Sequence, residues 1–150
     1  METEMKNEKT NFWSGKNYAV VGVSDKKRKF GNAVFKEMKK RNYKLFPVNQ
    51  NLTLFEDRMC YKSLSEISDH LDGAIIITGP EGAKRAIREC INFGIKRVWL
   101  YPGSKCDEAI KLAKENDIEL IYKAYPLLYL EPVKFPHSLH RWIVKVLGKL

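Results

Sequence analysis

Nowhere does this sequence sustain the roughly 18 consecutive apolar residues needed to cross a bilayer, and its polar opening, Met1 to Asn11, lacks the apolar run of a secretory leader. The chain is expected to stay in the cytoplasm, with no membrane partner. Cysteine is scarce: Cys60, Cys90 and Cys106 are three in number, far apart, and form no CxxC pair. That excludes a dense disulfide framework and the usual zinc and dithiol spacings, and it suits a reducing compartment. No Gly-x-Ser-x-Gly elbow occurs, and no spacing pairs a cysteine with a histidine as nucleophile and base. A GxGxxG dinucleotide fingerprint is missing too. No catalytic residue is identified, and the chain is expected not to be an enzyme.

Other chemistry-bearing residues lead to the same place. His137 and His140 could share a helix face, but no third ligand follows by spacing, so no metal site is expected. His70, before Leu71-Asp72, reads as a solvated loop residue. Cys90 falls beside Ile87 and Ile91 on a helical pattern and reads as core. Cys106 sits near a helix start, where a thiol pKa can fall, though an inert cysteine is the favoured reading. Trp13, Trp99 and Trp142 have no regular spacing of the kind a base-stacking platform uses. Nucleic acid is therefore not the expected partner, despite the basic tail residues Lys134, Arg141, Lys145 and Lys149.

What the chain has is 150 residues, 44% of them apolar, enough for one domain with one sizeable core. Lysine and arginine outnumber aspartate and glutamate by 27 to 18, a net charge of +9 that favours anionic partners. A lysine-rich surface that only keeps the protein in solution would show the same excess.

Tyr18-Ala19-Val20-Val21-Gly22-Val23 is a short, β-rich run closed by glycine, as a strand buried on both faces would be. A helix follows between Gly31 and Asn42, with Ala33, Val34 and Met38 near helical spacing. Lys44 to Val48 reads as a second strand, a polar connection runs to Tyr61, and Ser63 to Ile67 makes one or two helical turns. The alternation then repeats. Gly73 to Ile77 is a third strand, Pro80 opens a helix that Gly94 ends, and Arg97 to Leu100 is a fourth strand. Cys106 to Asn116 is helical, and Glu119 to Tyr122 is a fifth strand. Leu139, Trp142, Ile143 and Val146 mark a C-terminal amphipathic helix over Pro136 to Leu147. The pattern predicts an α/β class, three-layer, Rossmann-like doubly wound parallel sheet of about five strands, in the order 3-2-1-4-5, with the C-terminal helix added. Residues 1–16 are expected to form a flexible N-terminal segment and 17–150 the domain.

In such a sheet, ligands sit beyond the carboxyl ends of the strands. Three loops converge there. Gly22-Val23-Ser24 turns tightly and runs into Asp25-Lys26-Lys27-Arg28-Lys29-Phe30-Gly31, a loop suited to a polyanion, with Ser24 able to donate to a phosphate oxygen. An ordinary strand-to-helix turn with a solvated charge run would look similar. Pro47-Val48-Asn49 ends the second strand where an NAD site would place an acid on the ribose hydroxyls, and Asn49 stands there instead. That lowers the NAD reading and leaves NADP open, as in an NADP-dependent reductase. Thr78-Gly79-Pro80 permits close backbone approach at a helix start.

Val20 to Ser24 with Lys29-Phe30-Gly31-Asn32, Tyr43 to Asn49, and Val98-Trp99-Leu100 with Pro102-Gly103 resemble the small stand-alone CoA-binding proteins. Leu130-Glu131-Pro132 and Phe135-Pro136-His137 look like the tail of some members. The fold so implied is similar to the CoA-binding domain of succinyl-CoA synthetase α-chains and NDP-forming acyl-CoA synthetases, whose phosphorylated histidine and nucleotide-grasping parts lie in other domains. The resemblance implies non-catalytic binding of coenzyme A or an acyl-CoA. Gly22, Val23 and Ser24 would line the phosphate end, with Lys29, Phe30, Gly31 and Asn32 beside it. Pro47, Val48 and Asn49 would flank the adenine, and Thr78, Gly79 and Pro80 would close the other side. A basic residue from Lys26 to Lys29, Lys27 among them, would meet the ribose 3′-phosphate. Tyr101 stands where the family often has glutamine, and Tyr125 where it often has cysteine, both on the expected pantetheine channel. A regulatory interaction module, with a protein partner or a second copy of the chain, is the reading from another class.

Overall fold

The computed structural model describes residues 11–26, 29–104 and 106–130. Its centre is a parallel sheet of β1 (Asn17–Val21), β2 (Lys44–Val48), β5 (Gly73–Ile76), β6 (Arg97–Leu100) and β7 (Glu119–Ile121), in the order β2-β1-β5-β6-β7. A separate two-stranded ribbon pairs β3 (Leu54–Phe55) with β4 (Arg58–Met59). Three α-helices occur among the described residues: α1 (Phe30–Lys40), α2 (Pro80–Asn92) and α3 (Asp107–Glu115). The expected α/β, three-layer, Rossmann-like architecture is present.

Strand periodicity builds the layers, because successive side chains leave a strand on opposite faces. Tyr18, Val20, Ile75 and Trp99 pack on one face with Val34, Phe35 and Met38 of α1. Ala19, Val21, Ala74, Ile76, Val98 and Leu100 pack on the other with Ala83, Ile87 and Cys90 of α2 and Ala109 and Ala113 of α3. The small alanines let both helices approach the sheet. Helix ends follow local chemistry. Pro80 sits in the first turn of α2, and Gly94 takes φ +71° just past its end. Asn42 and Asp117, at φ 64° and 56°, close α1 and α3 in the left-handed region without glycine.

Two expectations need correction. Counting only the main sheet's strands along the chain, the order is 2-1-3-4-5, not 3-2-1-4-5, so the second strand lies at an edge. Pro47 gives the physical reason. Its carbonyl accepts a hydrogen bond from the Tyr61 N–H at 2.9 Å on the side away from β1, and its own nitrogen, with no proton to donate, faces the same side. A proline is tolerated there on an edge strand, not in the middle of a ladder. The stretch 50–60 is also more than a connection, since it folds into the β3–β4 ribbon. Glu56 and Asp57 make its turn at φ 47° and 61°, without the Asn-Gly or Gly-Gly signature that announces a hairpin.

Of the segment 1–16 expected to be flexible, Phe12 and Trp13 are instead packed against the sheet, while Asn11, Ser14 and Lys16 are exposed. Phe12 and Trp13 are buried against Trp99 and Tyr18. The Tyr18 hydroxyl donates to the Phe12 carbonyl at 2.6 Å and accepts from the Gly15 N–H at 2.8 Å, and burial pushes its pKa up to about 12. Trp99, fully buried, donates from Nε1 to the Ala124 carbonyl at 2.8 Å, tying β6 to the chain beyond β7. The expected C-terminal helix over 136–147 lies outside the described residues.

Asp72 joins the N-terminal segment to the start of β5. Its Oδ2 accepts from the N–H groups of Asn17 at 2.9 Å and Lys16 at 2.8 Å, and these bonds hold its carboxyl below the usual carboxylate range. A depressed folded pKa contributes stability that is present above the unfolded value of about 4 and is lost as pH falls through the folded one. Asp72→Asn is therefore expected to lower the melting temperature at pH 7, with the gap to wild type narrowing toward pH 3. Thermal melts at the two pH values check this; a constant gap would exclude the carboxylate's charge as the cause.

Candidate functional site

The chain leaves β1 for α1 on one face and leaves the neighbouring β5 for α2 on the other. That divergence opens a crevice at the carboxyl edge of the sheet. Gly22 lies at its floor with φ +112°, and a Cβ placed on it would come 1.8 Å from the Ile77 carbonyl oxygen. Its N–H donates to the Val48 carbonyl at 3.0 Å. A Cβ on Gly31, in the first turn of α1, would come 2.5 Å from the Gly22 carbonyl oxygen. The two glycines thus let β1, β5 and the start of α1 meet backbone to backbone.

Two asparagines hold the loops around this contact. Asn32 accepts from the Ser24 N–H at 2.8 Å and donates from Nδ2 to the carbonyls of Ser24 at 2.7 Å and Lys26 at 3.1 Å. Asn49 donates from Nδ2 to the Val23 carbonyl at 2.6 Å and accepts from the Asn51 N–H at 2.7 Å. An aspartate at position 49 would put a carboxylate against that carbonyl. Ser104 does similar work at the far side: it is fully buried, donates to the Thr78 carbonyl and accepts from the Thr78 N–H at 2.9 Å.

The crevice has two adjoining clefts. One, of about 460 Å³, runs between the β1–α1 loop (Gly22, Val23, Ser24, Lys29, Phe30, Gly31) and the residues Asn49, Ile77, Thr78, Gly79, Tyr101 and Gly103. The other, of about 290 Å³, lies between the end of β2 and α2, lined by Val48, Gln50, Asn51, Lys62, Ser63, Arg85 and Glu89. Gly22, Asn49, Thr78 and Gly79 border both. Helix N-termini such as those of α1 and α2 present N–H groups without intrahelical acceptors and favour anions.

Most residues expected at the site therefore meet there. Four differ. Asn32 shapes the loop and does not line either cleft; Pro47 is buried on the outer edge of β2; Pro80 is exposed in the first turn of α2. Lys27 lies outside the described residues. Sequence reading missed Ser104, Gln50, Lys62, Ser63 and Arg85. Gln50 stood in an apparently polar connection, Lys62 just past it, Ser63 at the start of a short helical stretch and Arg85 on a helix, and only the fold brings Lys62, Ser63 and Arg85 beside the end of β2.

The larger cleft is walled by aromatics. Phe30 stacks on Tyr101 with ring centroids 4.7 Å apart, and Tyr125 stands edge-on to Tyr101 at 5.6 Å and to Phe30 at 6.3 Å. Burial raises the Tyr101 phenol pKa, so at neutral pH it is an uncharged wall. Among the described residues no group of three or more His, Cys, Asp or Glu side chains is placed to hold a metal, and no helix is long and apolar enough to cross a membrane.

Asn49→Asp replaces a donor by a charged acceptor facing a carbonyl, and is expected to destabilise the fold by about 1–3 kcal/mol. Gly31→Ala forces α1 off the Gly22 carbonyl and should lower stability as well. Denaturant melts of both variants check these; wild-type midpoints would mean the loop contacts carry little.

Comparison with known proteins places this geometry. A 28% identical stretch of 117 residues aligns with the ADP-forming acetate–CoA ligase of Methanocaldococcus jannaschii, covering 78% of this chain and 16% of that protein. The II subunit alpha of the ADP-forming acetate–CoA ligase of Pyrococcus furiosus is 34% identical over 88 residues, covering 58% of this chain and 19% of the relative. The chain thus spans less than a fifth of these curated relatives. A solved structure of a hypothetical protein from Pyrococcus horikoshii OT3 superposes with a TM-score of 0.79 at 24% identity, over 86% of this chain and 91% of that one, a likeness of fold. The family model described as a CoA binding domain matches residues 16–130. That match begins just before β1 and takes in every loop bordering the two clefts, and the chain belongs to the family of CoA binding domains.

Proposed function

We propose that this chain binds coenzyme A or an acyl-CoA in the cytoplasm and holds it at the carboxyl edge of the sheet without converting it. The observation that carries the reading is the pair of clefts adjoining across Gly22. A long ligand with phosphates in its middle can cross the glycine ridge, where backbone approach is closest, and lay one end in each cleft. Val23, Ser24, Lys29 and Gly31 then face the diphosphate, and Val48 and Asn49 the adenosine. Thr78 and Gly79 border the ridge, and Phe30 and Tyr101 flank the pantetheine. The asparagine at position 49 fits this better than an NAD site, since its amide is engaged by the Val23 carbonyl and it brings no acid to a ribose.

A holding role is supported by the chemistry of the two buried thiols, Cys60 and Cys90. Burial pushes Cys90 up to about 12 and also raises Cys60, so neither is poised as a nucleophile. The ligases similar to this chain are five or more times its matched length, which favours a protein partner as the place where any acyl transfer occurs.

A thermal-shift series with CoA, acetyl-CoA, dephospho-CoA, ADP, ATP, NAD and NADP tests the reading. At a hundred times its Kd, a ligand of the native state adds about 2.7 kcal/mol, a rise of roughly 5–10 °C for a domain of this size. CoA and acetyl-CoA are expected to give such a rise, and acetyl-CoA to be recovered intact after incubation. No shift and no saturable binding of CoA at millimolar concentration would overturn the assignment. A rise with NADP alone would favour a reductase.

A further inference from the structure

We propose that the smaller cleft, between β2 and α2, is the subsite for the ribose 3′-phosphate of CoA, with Lys62 and Arg85 as its cationic walls. The proposal rests on the CoA reading and moves the phosphate away from the basic β1–α1 loop. Lys62 comes from the segment after β4 and Arg85 from the second turn of α2, and both line a cleft whose other borders are Val48, Asn49 and Gly79.

Elsewhere many surface cations are neutralised: Lys84 by Glu81 and Glu108, Lys44 by Asp69, Lys40 and Arg41 by Glu37, and Arg97 by Glu119. Among the described residues neither Lys62 nor Arg85 is in an ion pair. Lys29, Lys36, Arg88 and Lys96 are likewise in no ion pair, so what distinguishes Lys62 and Arg85 is that they are the cations lining the smaller cleft. Glu89 lines the same cleft, but it and Glu66 accept from backbone N–H groups, Glu89 from Leu64 at 2.6 Å and Glu66 from Lys62 at 2.9 Å, and neither is ion-paired with Lys62 or Arg85. Arg85 is oriented by its bond from a guanidinium nitrogen to Gln50 Oε1 at 2.7 Å, which leaves the rest of its fork to donate. A planar guanidinium and a point-charge ammonium on separate elements suit a compact dianion such as a phosphate monoester.

Position supports the same ligand atom. Val48 and Asn49 end β2, where the adenosine ribose lies in sheets of this kind, and they border the smaller cleft. Lys29 lines the larger one, on the far side of Gly22. A ribose held at the end of β2 thus turns its phosphate toward Lys62 and Arg85, while Lys29 remains with the diphosphate.

Isothermal titration of wild type, Lys62→Gln, Arg85→Gln and Lys29→Gln with CoA and with dephospho-CoA tests this, with NADP and NAD as controls. The three positions are exposed, and melts confirm that each variant is folded. Wild type is expected to prefer CoA over dephospho-CoA by tenfold or more. Lys62→Gln and Arg85→Gln should each remove roughly threefold to tenfold of that preference, leaving dephospho-CoA binding unchanged. Lys29→Gln should weaken both ligands alike. If Lys29→Gln alone abolishes the preference, or if the Lys62 and Arg85 variants weaken both ligands equally, the subsite is misplaced and the CoA reading stands. If wild type binds neither ligand, or discriminates NADP from NAD and not CoA from dephospho-CoA, the CoA reading falls and the subsite with it.

Discussion

The architecture of the site depends on one contact between backbones. With φ +112° and 1.8 Å between a would-be Cβ and the Ile77 oxygen, position 22 admits only glycine. Gly31 repeats the requirement from the helix side, sitting on the Gly22 carbonyl. Because those two positions carry no side chain, the end of β1, the end of β5 and the first turn of α1 converge without anything between them. The same bareness leaves main chain exposed at the crevice floor. The two clefts open on either side of that bare backbone. Shape and binding chemistry therefore follow from the same pair of glycines.

Around that contact, polar side chains do the positioning, and they use up groups that a sequence reading would offer to a ligand. The Ser24 N–H is committed to Asn32, and the Asn49 amide to Val23. Ser104 fastens the Thr78 loop from a buried position. Besides the N-termini of α1 and α2, the groups left to bind an anion are the cations at the rim, Lys29 in one cleft and Lys62 and Arg85 in the other. This division of labour keeps the neutral side chains structural and the charged ones outward, which avoids burying an unpaired charge in the core.

How much of this was legible beforehand depended on whether the signal was local. Tyr18 to Val21, Gly73 to Ile76 and Arg97 to Leu100 read as buried strands because both of their faces are covered, and Pro80 and Gly94 marked the ends of α2 by their own backbone preferences. Gly22 stood out as a tight turn after a strand, Asn49 by replacing an acid at a strand end and Gly31 through the resemblance, and all three border the clefts. Strand order was not read correctly, although Pro47 held the clue: a missing N–H says which strand must be at an edge. The β3–β4 ribbon turns on Glu56 and Asp57, residues that adopt positive φ without advertising it. Phe12 and Trp13 fell in the segment expected to be flexible because their partners, Tyr18 and Trp99, are contributed by the sheet. Lys62 and Arg85 are 23 positions apart in number and share a cleft only because β2 ends beside α2. Contacts made by tertiary convergence leave no spacing to read.

The aromatic wall shows the same principle from the side of specificity. Tyr101 and Tyr125, the two departures from the resembled pattern, come from different strand ends, and in sequence they looked independent. Packed together they are one feature: Phe30 stacks on Tyr101, and Tyr125 stands edge-on to both. Offset and edge-to-face rings gain from the match of their charge distributions as well as from the area they bury. Each ring thus stabilises the orientation of the other two. A small residue at position 125 would remove the edge contacts from both of its neighbours, and glutamine at 101 would remove the stacking on Phe30. The wall is consequently a joint property of three positions on three elements, and its effect on whatever enters the larger cleft belongs to the trio rather than to any one ring.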